Sequence, residues 1–249
     1  METRNNKYSC VIPIYNESEN IELLYNRLKL VMDNIHEPYD IIFVDDGSED
    51  DSYRILREIA LIDTNVKVLS FERNFGHHNA VIAGLANATG EYIITMDADL
   101  QNPPEEIPKL TDKLKEGFDM VAGVRLVRKD SNIRRCCSYA ANLAIALKAG
   151  VKMKDYGSML RAFKHKVADD LIREFKKSGG YITMLMAKVA DNIAEVEVEH
   201  SQRYSGESKY GPGKLFSAFG RVLFSSKEKP VLYTIKKRVE YGKEEEIIA

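Results

Sequence analysis

The sequence predicts an α/β fold, a mainly parallel central sheet flanked by helices. Three observations lead there. Strand-length apolar runs alternate regularly with helix-period segments over the first half of the chain, which is the pattern of βαβ units. Polar clusters fall at the carboxyl ends of the expected strands, where such sheets bind ligands. The composition, 44% apolar and 30% charged over 249 residues, suits a folded chain with a sizeable core.

Residues 8–14 form an apolar run that stops at Tyr15-Asn16-Glu17 and reads as the first strand. Ile21, Leu24, Leu28, Val31 and Ile35 then recur on one helical face, with Ser18 as the expected N-cap. Residues 40–44 read as a second strand, stopped by Asp45-Asp46-Gly47-Ser48, and a helix is expected over about 51–63. Further strands are expected at 66–71, 92–96 and 118–123, with a helix at 76–89 and another opened by Pro103-Pro104. In the second half a helix is expected over 132–149, strands over 158–163 and 193–198, and a polar loop over 200–213. Val231, Tyr233 and Ile235 alternate like an edge strand that could pair with a second subunit, and 243–246 reads as a charged, frayed end. The main domain is accordingly bounded at 1–230, with 231–249 as a C-terminal strand or tail.

The formal charge is −2, so whole-protein attraction to nucleic acid is not indicated. Three cysteines, two of them adjacent, make neither a disulfide framework nor zinc spacing, and point to a reducing compartment. The N-terminal residues lack the apolar core of a signal peptide, and no uncharged run approaches the roughly 20 residues that span a bilayer. The expected location is the cytoplasm, with peripheral contact on the cytoplasmic membrane face. That contact is expected at an amphipathic helix over 213–225, where Phe216, Phe219 and Phe224 lie beside Lys214 and Arg221. The alternative is that this apolar face packs on the core. Residues 125–154 hold eight Lys/Arg against one Asp, a local basic stretch that includes Arg134 and Arg135.

Asp97 and Asp99, two residues apart after an apolar strand, can converge on one hard cation such as Mg²⁺ or Mn²⁺; an ordinary acidic turn is the alternative. Asp45 and Asp46 fit either a turn or a carboxylate that accepts hydrogen bonds from a base or ribose. Pro13 and Tyr15 either flank that base or pack the sheet end. Arg73 and Arg125, on the same rim, suit phosphate oxygens or surface ion pairs. The adjacent His77 and His78 do not face one another on a helix, so a capping or rim role is expected rather than a metal pair.

The segments VIPIYNE (11–17), VDDGS (44–48) and MDADLQ (96–101) resemble the inverting family 2 glycosyltransferases of the nucleotide-diphosphosugar-binding, or GT-A, fold. RNFG (73–76), QNPPE (101–105), DYGSMLR (155–161) and GESKY (206–210) resemble the polyprenyl-phosphate subgroup. The resemblance covers roughly residues 8–224. It implies that Pro13, Tyr15, Glu17 and Asp46 hold the nucleotide of a UDP- or GDP-type sugar. Asp97, Asp99 and Gln101 would bind the cation on the diphosphate, and Arg203 and Lys209 would close over it. Arg125 with Arg134 or Arg135 would receive the lipid phosphate, and Asp155 would stand near the reacting centre. The nearest members of the subgroup carry two membrane-spanning helices after the region matching 215–224, where this sequence instead runs through Lys227, Lys229 and Pro230 into a charged tail. The resemblance therefore implies either peripheral attachment or a non-lipid acceptor. A phosphate acceptor, largely ionised at neutral pH, hardly needs a base, so Asp155 would orient; a hydroxyl acceptor would make Asp155 the base. A catalytically silent sugar-nucleotide-binding or membrane-docking protein is the remaining alternative.

Overall fold

The computed structural model describes residues 6–125, 145–147, 149–201 and 233–247. In chain order the strands are β1 (Tyr8–Ile14), β2 (Tyr39–Asp45), β3 (Val66–Phe71), β4 (Tyr92–Thr95), β5 (Met120–Arg125), β6 (Arg161–Lys164), β7 (Ile193–Val198), β8 (Ile235–Glu240) and β9 (Lys243–Glu246). The helices are α1 (Ser18–Ile35), α2 (Ser52–Ile62), α3 (His77–Asn87), α4 (Ile107–Lys115), α5 (His165–Ser178) and α6 (Ile182–Val189). A 3-10 turn over Pro104–Glu106 leads into α4, where the expected proline signal stands.

Among the described residues the strands form one nine-stranded sheet in the order β7-β5-β6-β4-β1-β2-β3-β8-β9. The β3-β2-β1-β4 block and the β5/β7 pair are parallel, while β6, β8 and β9 enter antiparallel. β1 and β2 are buried along their whole length because helices cover both faces. On one face Ile21, Leu24 and Leu28 of α1, Leu56 of α2 and Leu110 of α4 pack on Cys10, Ile12, Ile41 and Phe43. On the other, Val81, Ile82 and Leu85 of α3 join Leu171 of α5 and Met186 of α6 on Val11, Ile42 and Val44. α3 lies so close to β1 that a Cβ on Gly84 would stand 2.3 Å from Val11 Cγ1.

Several boundaries differ from the sequence reading. Ser18 is the first residue of α1 rather than its cap; its amide donates to Asp50 Oδ2 (3.1 Å), so the following loop supplies the acceptor that a cap side chain would have given. β5 and β6 start two to three residues later than the apolar runs suggest. The residues before β6 point their carbonyls at side chains and at Gly123 N–H rather than forming ladder rungs from the start. α5 and α6 were not expected. Residues 243–246 are not frayed: β9 pairs with β8, and Glu244 accepts from Tyr53 Oη (2.7 Å) and Arg57 Nε (2.5 Å) on α2. Tyr233 does not sit in the strand; its ring stacks on Phe71 at 5.1 Å. Of the helix expected over 132–149, only Ile145–Leu147 and Ala149 are described, and these are helical. The 213–225 helix, Cys136 and Cys137 lie outside the described residues.

Candidate active site

β1 and β4 stay in register only from Tyr8↔Tyr92 to Val11↔Thr95, so β1 runs on past the end of its neighbour. Pro13 lies in that overhang, buried and in register with Val44 of β2, where its missing N–H breaks no rung to β4. α1 and α2 cover one face and α3 the other, so the sheet reverses its winding at this point. A crevice forms at such a switch.

Three loops are laced together along its β2 side. Asn16 N–H donates to Ser48 Oγ (3.0 Å) and Glu17 N–H to Ser52 Oγ (2.9 Å), which ties the loop after β1 to the loop after β2. Asp45 accepts from Ser48 N–H (3.0 Å) and from Ser70 Oγ (2.9 Å). Asp46 accepts the amides of Phe75 (2.7 Å) and Gly76 (2.9 Å), gripping the loop before α3. Gly47 has a positive φ of 66°, and a Cβ there would lie 2.3 Å from Arg73 C, so two backbones meet where only glycine fits. Burial pushes the Asp45 and Asp46 carboxyls above their usual range, against the pull of these hydrogen bonds. The acidic pair is thus more than a turn: it fixes the relative position of three loops. Tyr15 and Glu17 are half-buried on the same rim, and Glu17 Oε2 accepts from Asn20 Nδ2 (2.6 Å). Arg73 is exposed, with its guanidinium 4.4 Å above the Phe75 ring.

The Asp97–Gln101 segment follows β4. Asp97 is half-buried; Asp99 is buried, with Oδ1 accepting Gln101 N–H (3.2 Å), and Leu100 takes a left-handed φ of 59°. His77, at the start of α3, places Nε2 3.8 Å from Asp97 Oδ1 and feels the charges of Asp46 and Asp99. Burial draws its pKa down from the usual imidazole value, against the opposing pull of the Asp46 and Asp99 charges. The sequence reading gives His77 a capping or rim role and does not reveal this proximity to Asp97. Gln101 O accepts Ser201 N–H (2.9 Å), so the segment that leads toward Arg203 starts beside the acidic cluster. Among the described residues no three His, Cys, Asp or Glu side chains form a metal cage. Two oxygen donors on one turn still fit a Mg²⁺- or Mn²⁺-class ion, which is commonly held by one or two carboxylates while substrate phosphates and water complete its shell.

On the other side of β4, Arg125 ends β5 and forks onto Asp155, Nε to Oδ2 at 2.6 Å and Nη2 to Oδ1 at 2.9 Å. Asp155 is buried and also accepts Gly157 N–H (2.9 Å). Both residues thus meet at the rim, as a pair. Arg134, Arg135, Arg203 and Lys209 lie outside the described residues.

The family model for Glycosyl transferase family 2 matches residues 9–168. The chain belongs to that family. It is 41% identical over 224 residues to the undecaprenyl-phosphate 4-deoxy-4-formamido-L-arabinose transferase of Shewanella sediminis, covering 90% of this chain and 67% of that protein. To the protein of the same name from Pseudomonas fluorescens strain SBW25 it is 42% identical over 210 residues, covering 84% and 61%. The chain therefore spans about two thirds, or somewhat less, of the length of these curated relatives. Among solved structures, glucosyl-3-phosphoglycerate synthase of Mycobacterium tuberculosis, crystallised with Mn²⁺, UDP and glucosyl-3-phosphoglycerate, aligns with a TM-score of 0.61 and 21% identity, covering 88% of this chain and 77% of that one. S. aureus TarS residues 1–349 align at 0.54 and 18%, covering 76% and 58%. These likenesses place the family 2 enzyme in the GT-A fold. No helix among its described residues is long and apolar enough to cross a membrane.

Proposed function

We propose that this family 2 enzyme moves a sugar, with inversion, from a UDP- or GDP-type nucleotide sugar to a polyprenyl phosphate, assisted by Mg²⁺ or Mn²⁺. The names of the 40%-class relatives support the lipid phosphate as acceptor. The observation that carries the reading is the Arg125–Asp155 fork. A carboxylate gripped at both oxygens by a guanidinium is a poor proton acceptor. Such a site suits a nucleophile already ionised, which a phosphate monoester with a second pKa near about 6 is. A hydroxyl acceptor would need a free base.

In this reading the laced loops of Tyr15–Glu17, Asp45–Asp46 and Arg73 hold the nucleotide. Asp97, Asp99 and the side-chain oxygen of Gln101 would hold the cation, with Arg203 and Lys209 closing on the diphosphate. When bound, a divalent cation supplies charge neutralisation to the departing diphosphate oxygen. Arg125, with Arg134 or Arg135, draws the acceptor phosphate to the opposite face of the sugar. A phosphate oxygen attacks the anomeric carbon and forms the new C–O bond. The bond to the β-phosphate oxygen breaks, and its electron pair leaves with the nucleoside diphosphate. Asp155 holds Arg125 in place. Peripheral attachment through residues 213–225 would bring the site to the lipid headgroup.

The test incubates the protein with undecaprenyl phosphate, a panel of UDP- and GDP-sugars, and Mg²⁺ or Mn²⁺, and follows sugar entering the lipid fraction. Transfer to soluble acceptors alone would replace the lipid by a soluble acceptor. Absence of any nucleoside diphosphate release would overturn the reading.

A further inference from the structure

Arg161 is the largest fully buried side chain among the described residues. It opens β6, in register with Thr95 of β4 and Ala122 of β5, directly behind the rim. No carboxylate pairs with it among the described residues. Its hydrogen bonds go to backbone carbonyls instead: Nε to Ser158 O (3.0 Å), Nη2 to Tyr156 O (3.3 Å) and Nη1 to Thr183 O (3.3 Å). Two of these carbonyls belong to the segment that carries Asp155, and the third to the first turn of α6. Two neighbouring carbonyls of that segment are held by the sheet: Met159 O accepts Thr95 Oγ1 (2.8 Å), and Leu160 O accepts Gly123 N–H (2.9 Å). Desolvation draws the guanidinium pKa down to about 10, so Arg161 stays charged at neutral pH at a cost that a mere filler would not carry. The three carbonyls are met by three different nitrogens of one planar fork; a lysine's three donors all radiate from a single nitrogen and cannot span the same spread.

We propose that Arg161 is a positioning residue: by clamping the carbonyls of Tyr156 and Ser158 to α6, it sets where Asp155 stands and hence where Arg125 presents its charge. The residue touches neither substrate nor cation. It acts through the Asp155–Arg125 fork, and the proposal rests on the reading of that fork as the acceptor side of the reaction.

The experiment measures steady-state kinetics of Arg161→Lys, Asp155→Asn and the double variant, with donor and acceptor varied separately. Arg161→Lys is expected to lower kcat about 30- to 100-fold, the penalty of an ångström-scale misplacement, with donor KM held within about twofold. The double variant is expected to be no slower than Asp155→Asn alone, since both changes release the same fork. Multiplying losses, an unchanged kcat, or donor KM rising in step with the loss would overturn the proposal. If Arg161→Lys does not fold, Thr95→Val releases the same segment from β4. It is then expected to lower kcat about 5- to 10-fold at constant donor KM, and an unchanged kcat would overturn the proposal. Failure of the parent to transfer to any phosphate acceptor would count against the functional reading instead. Hydrogen exchange then decides the clamp. In Arg161→Lys, or in Thr95→Val if that is the variant that folds, the Gly157 and Gly123 amides should exchange at least about 10-fold faster while those of β1 and β2 keep the parent rate. Parent rates at Gly157 and Gly123 would overturn it.

Discussion

Gly157→Ala probes the acceptor side without altering a single charge. A Cβ on Gly157 would lie 2.8 Å from Arg125 Nη2 and 3.3 Å from Asp155 Oδ1. Ordinary contact begins near 3.4 Å, so Nη2 must retreat by about 0.6 Å. Directed along its bond to Asp155, that retreat stretches the 2.9 Å contact to about 3.5 Å, beyond a useful hydrogen bond. The fork then keeps only its Nε arm. A hydrogen bond between charged groups contributes about 1.5–3 kcal/mol, which corresponds to roughly 10- to 150-fold in rate if the lost geometry is used in the transition state. The assay is transfer to undecaprenyl phosphate at saturating nucleotide sugar. The expected result is a 10- to 150-fold fall in kcat/KM for the acceptor, with donor KM unchanged and a melting temperature within about 4 °C of the parent. Parent-like acceptor kinetics in a folded Gly157→Ala protein would refute the assignment of this fork to the acceptor.

Asp46→Asn leaves one oxygen for the Phe75 and Gly76 amides and turns an NH₂ toward the other; donor KM should rise about 10- to 100-fold with acceptor KM unchanged, as read by initial rates. Gly84→Ala forces a methyl to 2.3 Å from Val11 Cγ1 and 3.2 Å from Val44 Cγ2, so it should lower stability by about 1–3 kcal/mol, followed by thermal unfolding. Glu244 is held at a pKa of about 2, below the usual 4.5, first by Arg57 and then by Tyr53. A lowered carboxyl pKa stabilises the fold above the unfolded-state value and loses that contribution as pH falls through the folded one. The melting difference between parent and Glu244→Gln, about 1 kcal/mol at pH 7, should therefore shrink from pH 4.5 downward, and a constant difference would contradict the ion-pair origin.

Much of the fold was legible because both faces of the parallel block are covered. Its strands read as plain apolar runs, and α1 reads as a helix from the spacing of Ile21, Leu24 and Leu28. The order of β5, β6 and β7 was not legible, because pairing β6 antiparallel between β4 and β5 is a tertiary choice that no local pattern encodes. β9 was missed for a related reason. Lys243-Glu-Glu-Glu246 has no strand pattern, and its place comes from Tyr53, Arg57 and the β8 edge. At the site, Asp97 and Asp99 stand out as carboxylates after a strand and Asp155 through the resemblance of its DYGSMLR segment, whereas their partners do not. That His77 reaches Asp97, and that Arg125 is claimed by Asp155, are facts of three-dimensional proximity between residues 20 and 30 positions apart. Arg161 falls inside the strand expected over 158–163, and nothing in the local pattern distinguishes a fully buried arginine there from one at the surface.

Radiolabelled sugar transfer into undecaprenyl phosphate, run with Mg²⁺ or Mn²⁺, with chelator, and with Asp99→Ala, bears on the whole scheme at once. The account predicts label in the lipid fraction only with a divalent ion, lost by at least about 100-fold in chelator and in Asp99→Ala. Equal label in the lipid with chelator present, or label passing only to hydroxyl acceptors, would contradict it.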